Sequence, residues 1–455
     1  ATMSGLTSSE SSSLVINAGS ATQISFTTQP GDSTGGLPFS PQPVVTFQDA
    51  GGNTATANTA QVTIVKVSGS SDLSGTVSMI SGSGTGVADF SSKGLAFDTA
   101  GDYVIKAQIT ISGTVIETAS STTIAVTAGP AASMAFTEEP GDSTGGIAFN
   151  PQPEVTLVDA GGNVAVNDDT STVTMTKGSG VGTLKHLGSG SSVDVTVVDG
   201  VASFAGLGMY FQSVGSYTLR AESSPLDDVL SSSIVITAGV VTSVVFTTSP
   251  TSPSDGGTAF STQPVVTLRD AGDNTALSST AAVTLSLAAS STGSGALAGT
   301  VTMNAVAGVA DFDSQGVNIN TIGDYVLTAT ISDPTTLTGE SSTVTIQPGP
   351  SASLTIASPS DSTGGIAFGT QPYVEILDAG GNLATGATDS ITISVASGSG
   401  SLTGTITMAA VAGVANFSIG NADMALTTAD AYTLTATSGV QGTTTVTSGS
   451  ISIVV

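Results

Sequence analysis

The residues with the clearest chemical potential in this chain form an acidic loop that occurs four times. It reads Asp-Ala-Gly-Gly-Asn at 49–53, 159–163 and 378–382, and Asp-Ala-Gly-Asp-Asn at 270–274. Carboxylate, amide and backbone carbonyl oxygens are hard ligands of the kind that calcium prefers. The same residues also suit a tight turn, in which Asp bonds to local backbone N–H groups and Gly accepts a positive φ. We favour the turn role, and calcium remains the alternative for its four aspartates, Asp49, Asp159, Asp270 and Asp378.

Other groups that could do catalysis are scarce. The one histidine, His186, lies in a loop-like Thr-Leu-Lys-His-Leu-Gly stretch. A Ser-His-Asp site needs a histidine held by a carboxylate beside the serine, and nothing around His186 has that pattern. The pairs Asp168-Asp169 and Asp227-Asp228 are adjacent, so in a strand their side chains point to opposite faces. Solvated loop acids are the preferred interpretation, and the sequence predicts no catalytic residue, no cofactor and no enzyme activity.

Charge and composition exclude several classes of partner. The chain has 34 acidic and 7 basic residues, a net charge of -27, and no cysteine. A nucleic-acid binder needs a basic surface that displaces phosphate counterions, and the second half of this chain carries one basic side chain, Arg269. Zinc needs several His, Cys or carboxylate ligands. With no apolar run long enough to span a bilayer, we expect neither nucleic-acid binding nor membrane insertion.

The elements that position these loops are revealed by internal repetition. A joint glycine returns every 110 residues, at Gly19, Gly129, Gly239 and Gly349. Each is followed by a Gly/Ser/Asp turn (GDSTGG at 31–36 and 141–146), then QPxVxxxDAGGN, a GVAxF strand and a Tyr strand. Repetition at a fixed period indicates stacked structural units. The predicted limits are 1–18 for a terminal strand and, for four repeats, 19–128, 129–238, 239–348 and 349–455.

Within one repeat, apolar residues alternate over about seven short segments separated by turn clusters. Such β-branched alternation, with no helical periodicity, predicts an all-β chain of four tandem immunoglobulin-like β-sandwich domains in an extended rod, plus an orphan N-terminal strand. In the Tyr strand, Tyr103, Tyr217, Tyr325 and Tyr432 each follow a turn. A tyrosine there resembles the tyrosine corner of such sandwiches, in which the hydroxyl bonds to backbone a few residues upstream.

QPxVxxxDAGGN, GVAxF and the Tyr strand together resemble the bacterial-type immunoglobulin-like (Big-like) repeats of large extracellular adhesin, surface-layer or fibre proteins. The resemblance covers all four repeats. It implies a position outside the cell or on its surface and a structural or adhesive role, but it does not choose between spacer, stalk and binder.

The first residues do not begin a repeat. Residues 11–16, Ser-Ser-Ser-Leu-Val-Ile, align with 231–236, the last strand of repeat 2. Two interpretations stay open: the segment belongs to a preceding repeat of a longer array, or it pairs with an open edge on another subunit by strand addition.

These observations predict a non-catalytic structural subunit of an extracellular filament, surface layer or adhesin stalk. Its partners would be copies of itself or adjacent repeats. The alternative is an adhesin module that binds surface glycans or a cell-surface receptor through loops at one end of a sandwich. Tyr210, beside Phe211 in repeat 2, is the best candidate for that role, because most other aromatic residues occupy repeated core positions.

Overall fold

The computed structural model describes residues 10–420, 423–439 and 444–455, and all regular secondary structure in them is β-strand. No helix in these ranges could span a membrane. The chain divides into two compact units. Unit 1 comprises Ala1–Ser143, Ala148–Phe211 and Gly215–Ile236, and unit 2 comprises Thr144–Ile147, Gln212–Val214 and Thr237–Val455.

The strands are numbered in chain order, with the predicted repeat limits as labels. Repeat 1 contains β1 Gln23–Thr28, β2 Ser33–Thr34, β3 Val44–Gln48, β4 Gln61–Ser68, β5 Ser78–Ile80, β6 Val87–Asp89, β7 Gly101–Ile111, β8 Thr114–Glu117 and β9 Ile124–Thr127. Repeat 2 contains β10 Ser133–Glu138, β11 Ser143–Thr144, β12 Glu154–Val158, β13 Thr172–Ser179, β14 Val193–Thr196, β15 Val201–Ser203, β16 Gly215–Glu222, β17 Val229–Leu230 and β18 Ile234–Thr237. Repeat 3 contains β19 Ser243–Thr248, β20 Ser254–Asp255, β21 Val265–Arg269, β22 Ala282–Leu287, β23 Leu297–Ala298, β24 Thr302–Asn304, β25 Val309–Asp311, β26 Asn318–Ile319, β27 Gly323–Tyr325, β28 Leu327–Ile331, β29 Leu337–Glu340 and β30 Val344–Gln347. Repeat 4 contains β31 Ser353–Ala357, β32 Ser362–Thr363, β33 Tyr373–Leu377, β34 Ser390–Ser397, β35 Leu402–Thr403, β36 Thr407–Ala409, β37 Val414–Asn416, β38 Ala425–Leu426, β39 Asp430–Ser438, β40 Thr444–Thr447 and β41 Ile451–Val454.

Each repeat is a β-sandwich of the immunoglobulin-like class, as the alternating pattern predicts. In repeat 1, one sheet has the order β1-β3-β6, and the other has β2-β9-β7-β4-β5 with β8 on β7. Strand β7 shows why: its buried and half-exposed residues alternate, so one face meets the opposite sheet and the other meets solvent. The same three-stranded sheet recurs as β10-β12-β15, β19-β21-β25 and β31-β33-β37.

The GDSTGG segment, which the sequence predicts to be a turn, is more than a turn. Ser33 and Thr34 form β2 and pair in parallel with Val126 and Thr127 of β9. The chain therefore leaves the sheet of β1 and joins the opposite sheet before it turns at Gly35 and Gly36. Two-residue strands carry no hydrophobic alternation that a sequence pattern could detect, which is why the pattern misses β2.

The core of each repeat lies between its two sheets. Four separate clusters of buried side chains occur in the described residues, one within each repeat. In repeat 1 the ring of Tyr103 stacks on Phe97 with centroids 3.8 Å apart, and its hydroxyl donates a hydrogen bond to Thr99 O at 2.8 Å. Tyr325 and Tyr432 make the equivalent bonds, to Thr321 O and Thr428 O. The predicted tyrosine corner is thus confirmed at these three positions.

The glutamine of QPxV fastens the loop after β2 to the rest of the sandwich. Gln42 donates from Nε2 to Phe39 O at 3.0 Å and to Leu95 O at 2.9 Å, and Leu95 N donates to its Oε1. Gln152, Gln263 and Gln371 also donate to the carbonyl three residues upstream. Because a buried amide must find partners for donors and acceptor alike, this glutamine is structural.

The predicted terminal strand, residues 1–18, is described only in part, since residues 1–9 lie outside the described residues. Residues 10–22 belong to no strand, and Leu14 and Ile16 are 85% and 82% exposed. The assignment of this segment to a strand of another sandwich therefore stays a prediction.

Candidate functional site at the repeat joint

The acidic loop is built around its aspartate, which organises the loop and the preceding linker together. In repeat 2, Asp159 is 3% exposed. Its Oδ1 accepts hydrogen bonds from the backbone N–H groups of Gly161 and Asn163, both at 2.9 Å. Its Oδ2 accepts one from the joint glycine, Gly129, at 2.8 Å. The carboxylate thereby fixes where the chain enters repeat 2.

These hydrogen bonds favour the charged form of the aspartate. The N–H groups of Gly19 and Asn53, with the Asn53 side chain, lower the pKa of Asp49 to about 2. Burial raises the pKa of Asp159, but the hydrogen bonds from Gly129, Asn163 and Gly161 outweigh it, so its pKa also lies below the ordinary value. A carboxylate that accepts several N–H bonds behaves in this way.

The asparagine that closes the acidic loop binds the preceding repeat. Asn163 Nδ2 donates to Asp98 O of repeat 1 at 2.7 Å, and Ala100 N of repeat 1 donates to Asn163 Oδ1 at 2.7 Å. The same Nδ2 lies 3.0 Å from Asp159 Oδ1, which fixes the orientation of the amide. The amide thus reads the backbone before β7 with one donor and one acceptor.

Glycines make this contact possible because backbone lies directly on backbone. A Cβ on Gly161 would stand 2.1 Å from Asp98 O, and one on Gly36 would stand 2.6 Å from the carbonyl carbon of Ala160. A Cβ on Gly35 would stand 2.0 Å from Asn163 Nδ2. We call Gly35–Gly36 and its equivalents the glycine turn. Its fit against the next acidic loop explains why both motifs recur together.

The same joint occurs inside unit 2, between repeats 3 and 4. Asn382 Nδ2 donates to Asn320 O at 2.6 Å, and Ile322 N donates to Asn382 Oδ1 at 3.2 Å. A Cβ on Gly380 would lie 2.1 Å from Asn320 O. Asp378 Oδ2 accepts from the joint glycine, Gly349, at 2.9 Å. Two independent examples therefore share one geometry.

The predicted turn role of the four aspartates is confirmed. Each carboxylate accepts N–H bonds from the residues two and four positions later: Asp49 from Gly51 and Asn53, Asp159 from Gly161 and Asn163, Asp270 from Gly272 and Asn274, and Asp378 from Gly380 and Asn382. No group of three or more His, Cys, Asp or Glu side chains comes together among the residues that the structure describes. Calcium at these loops remains a prediction, and it would have to compete with these N–H donors.

The remaining candidate residues lie apart from one another. His186 accepts a hydrogen bond from Gly188 N within its own loop. Asp168 caps a turn by accepting from Ser171 N and Oγ at 2.9 and 2.7 Å, whereas Asp228 binds Arg220. Tyr210 is half-buried and forms an isolated bridge with Lys185. The structure brings none of these groups together into a shared site.

A cavity flanks the joint of unit 1. It has a volume of about 390 Å³ and is lined by Thr34, residues 128–131 of the linker, and turn residues that include Asp168 and Ser171. A cavity of about 420 Å³ beside residues 348–351 and 386–389 takes the corresponding place in unit 2. Because Asp168 and Ser171 already bond to each other, the first cavity offers few free polar groups, and we assign it no ligand.

No family model and no curated protein match this sequence. Among solved structures, the chain is similar to a protocadherin GammaB4 extracellular domain at 13% identity, covering 95% of this chain and 66% of that one, with a TM-score of 0.27. It is similar to domains 1–6 of the surface layer protein SbsC at 14% identity, 95% and 54% coverage, and a TM-score of 0.19. Chicken CNTN1 FN1–FN3 domains match at 11% identity, 71% and 99% coverage, and a TM-score of 0.24. The chain thus spans less than two thirds of the first two proteins, and similarities of this strength carry no argument about function.

Sequence reasoning found the acidic loop and the glycine turn but not that they bind each other. The turn chemistry of each motif is local and readable, whereas their pairing joins residues more than a hundred positions apart. One signal was available: a loop that needs only to turn has no reason to keep its final asparagine in all four copies.

Proposed function

We propose that this chain is a non-catalytic structural protein of the cell exterior, a subunit of a filament, surface layer or adhesin stalk. The observation that supports this most is the use of the recurring residues. The repeated aromatic and aliphatic positions fill cores, and the repeated polar residues and glycines build joints. A chain whose repeated motifs hold successive domains in a defined arrangement suits a load-bearing or spacing role.

Composition supports the same role. The stability of repeat arrays comes from the repeats and the contacts between neighbours, so a chain without cysteine needs no disulfide for strength. The net charge of -27 keeps exposed repeats soluble and discourages nonspecific association.

Immunogold electron microscopy of the cells that make the protein tests this proposal. An antibody against the folded chain should label the outer surface or filaments that leave it, and protease added to intact cells should remove the label. Label confined to the cell interior, insensitive to external protease, would refute the proposed function.

A second function, adhesion through a loop, is favoured by one local feature of repeat 2. Residues 180–192 between β13 and β14 form a longer connection than residues 69–77 between β4 and β5. This loop exposes Val181 and Leu187 and lies beside Tyr210 through its bridge to Lys185. A glycan array compared between the native chain and Tyr210→Ala tests it, because glycan binding that depends on Tyr210 would support adhesion and an array without binding would exclude surface glycans.

A further inference from the structure

Repeat 1 carries an acidic loop that is formed but faces no glycine turn. Asp49 already accepts hydrogen bonds from the N–H groups of Gly19, Gly51 and Asn53, all at 2.9 Å. A Cβ on Gly51 would meet only its own loop, at 3.1 Å from Asn53 Nδ2, whereas the equivalent atom on Gly161 meets repeat 1 at 2.1 Å. Half of a joint is therefore preorganised and open.

Repeat 4 carries the complementary half. Gly365 N donates to Leu426 O at 2.8 Å, just as Gly36 N donates to Phe97 O at 3.1 Å. A Cβ on Gly365 would meet nothing within 4 Å, so this glycine turn is uncovered. Counting from Leu426, the positions of Asp98 O and Ala100 N in repeat 1 are taken by Thr427 O and Ala429 N.

Residues 11–16 carry the features that identify the last strand of a sandwich. In repeat 2 that strand has a serine clasp: Ser231 N donates to Leu219 O, and Leu219 N donates to Ser231 Oγ. Three and five positions later, Ile234 and Ile236 are buried. The segment has a serine and two aliphatic residues at the same spacing, namely Ser11, Leu14 and Ile16. Both aliphatic side chains are exposed in this structure.

Repeat 4 contains a strand with the same code. Ser448 N donates to Leu434 O and its Oγ accepts from Leu434 N, while Ile451 and Ile453 of β41 are buried. The outward residue between them, Ser452, donates its N–H to Asp361 Oδ1 at 2.7 Å. Val15 is the corresponding residue of the N-terminal segment.

We propose that a second copy of this chain binds repeat 4 head to tail. Its residues 11–16 take the place of β41, with Leu14 and Ile16 in the positions of Ile451 and Ile453. Its chain then passes to Gly19, and its Asp49–Asn53 loop docks on the glycine turn at Gly364–Gly365. Asn53 bonds to Thr427 O and Ala429 N as Asn163 does to Asp98 O and Ala100 N. This inference rests on the proposed structural role.

The balance of contacts favours this exchange. Two buried aliphatic residues replace two others, so the strand swap itself is nearly neutral, as exchanges of equivalent elements are. The joint contacts are the net gain, since both halves are open in the single chain. Because the two surfaces differ and lie at different ends, the contact is heterologous and repeats without closing into a pair. Each copy carries a charge of -27, so salt that screens repulsion should promote assembly.

The test uses the full chain, both incubated natively and refolded at high protein concentration, so that displacement of β41 is not limiting. Sedimentation velocity at rising protein and salt concentration should show growing multimers, and negative-stain images should show linear chains. Gly51→Ala and Gly364→Ala place a Cβ in the docking plane without closing on their own chain, and should each weaken assembly about 30-fold, the loss expected for two hydrogen bonds. Leu14→Ser with Ile16→Ser should abolish it. Val15→Ser, the matched control on the outward face, should assemble like the native chain.

A cysteine pair tests the register, since the natural chain has no cysteine. Ala431 pairs with Ser452 in the ladder of β39 and β41, so Val15→Cys with Ala431→Cys should give a disulfide-linked ladder of multimers under oxidation. Ala431→Cys with Ser452→Cys is the intramolecular control. Monomers under every condition, or multimers that form no such ladder and ignore the Gly51 and Leu14–Ile16 variants, would overturn the proposal. Surface labelling is a separate measurement, so either proposal can fail while the other stands.

Discussion

Substitution of Gly161 by alanine should open the joint of unit 1 while leaving repeats 1 and 2 folded. The added Cβ would lie 2.1 Å from Asp98 O, closer than any real contact. To relieve it, the loop must withdraw by about 1 Å, since carbon contacts are favourable only beyond ~3.5 Å. Such a shift carries both Asn163 bonds, now 2.7 Å each, past hydrogen-bond range. Their loss is worth about 2 kcal/mol, or roughly a 30-fold increase in joint opening.

The reporter for this change is the amide of Ala100, because its N–H donates to Asn163 Oδ1 across the joint. Hydrogen exchange read by mass spectrometry should show this amide exchanging about 30-fold faster in Gly161→Ala. The amide of Gly129 should change less, because its bond to Asp159 lies outside the clash. Gly51→Ala is the matched control, since it alters the same loop position in repeat 1, where no preceding repeat is met. Unchanged exchange at Ala100, or the same change in the control, would refute the joint as described.

Three further predictions concern the acidic loops and the tyrosine corner. The pKa of Asp49 is lowered to about 2, and that of Asp159 is lowered too; folded values below the unfolded value near ~3.9 mean that their stabilisation is complete above about pH 4 and is lost as the pH falls toward 2. The Tm should therefore fall over that window, and Asp159→Asn should flatten the fall while Asp102→Asn, at an exposed position, should not; equal slopes would contradict this. Tyr103→Phe removes the hydroxyl bonded to Thr99 O and Ser71 N and should lower the free energy of unfolding by about 1–2 kcal/mol, with Tyr210→Phe, a half-buried control, within about 0.5 kcal/mol of native in denaturant titrations. Because the loop carboxylates already accept N–H bonds, millimolar calcium or its removal by chelator should leave the Tm unchanged; a rise with calcium would assign metal to Asp49, Asp159, Asp270 or Asp378.

Much of the fold follows from local pattern. The 110-residue period and the two-residue alternation predict tandem sandwiches, because burying one face of a sheet requires alternate apolar residues. The tyrosine corner was predictable for a related reason: a tyrosine just after a turn has upstream backbone within reach of its hydroxyl. The turn role of Asp49 follows from its own loop, where Gly51 and Asn53 supply the donors.

The short strands and the joint were beyond sequence reasoning. Strand β2 exists because Ser33 and Thr34 lie beside β9, not because those residues favour extended backbone on their own. The glycines of GDSTGG and DAGGN signal turns equally well whether or not anything covers them, and no local pattern states that Gly36 will lie on Ala160.

Sequence by itself determined the repeat length, the alternating strands and the loops in which an aspartate organises its own backbone, because all of these depend on residues near one another along the chain. Only the tertiary structure decided that Asn163 of one repeat binds Asp98 O and Ala100 N of the repeat before it. That contact depends on where two folded sandwiches place their backbones. Hydrogen-bond geometry between distant segments exists only after both have folded.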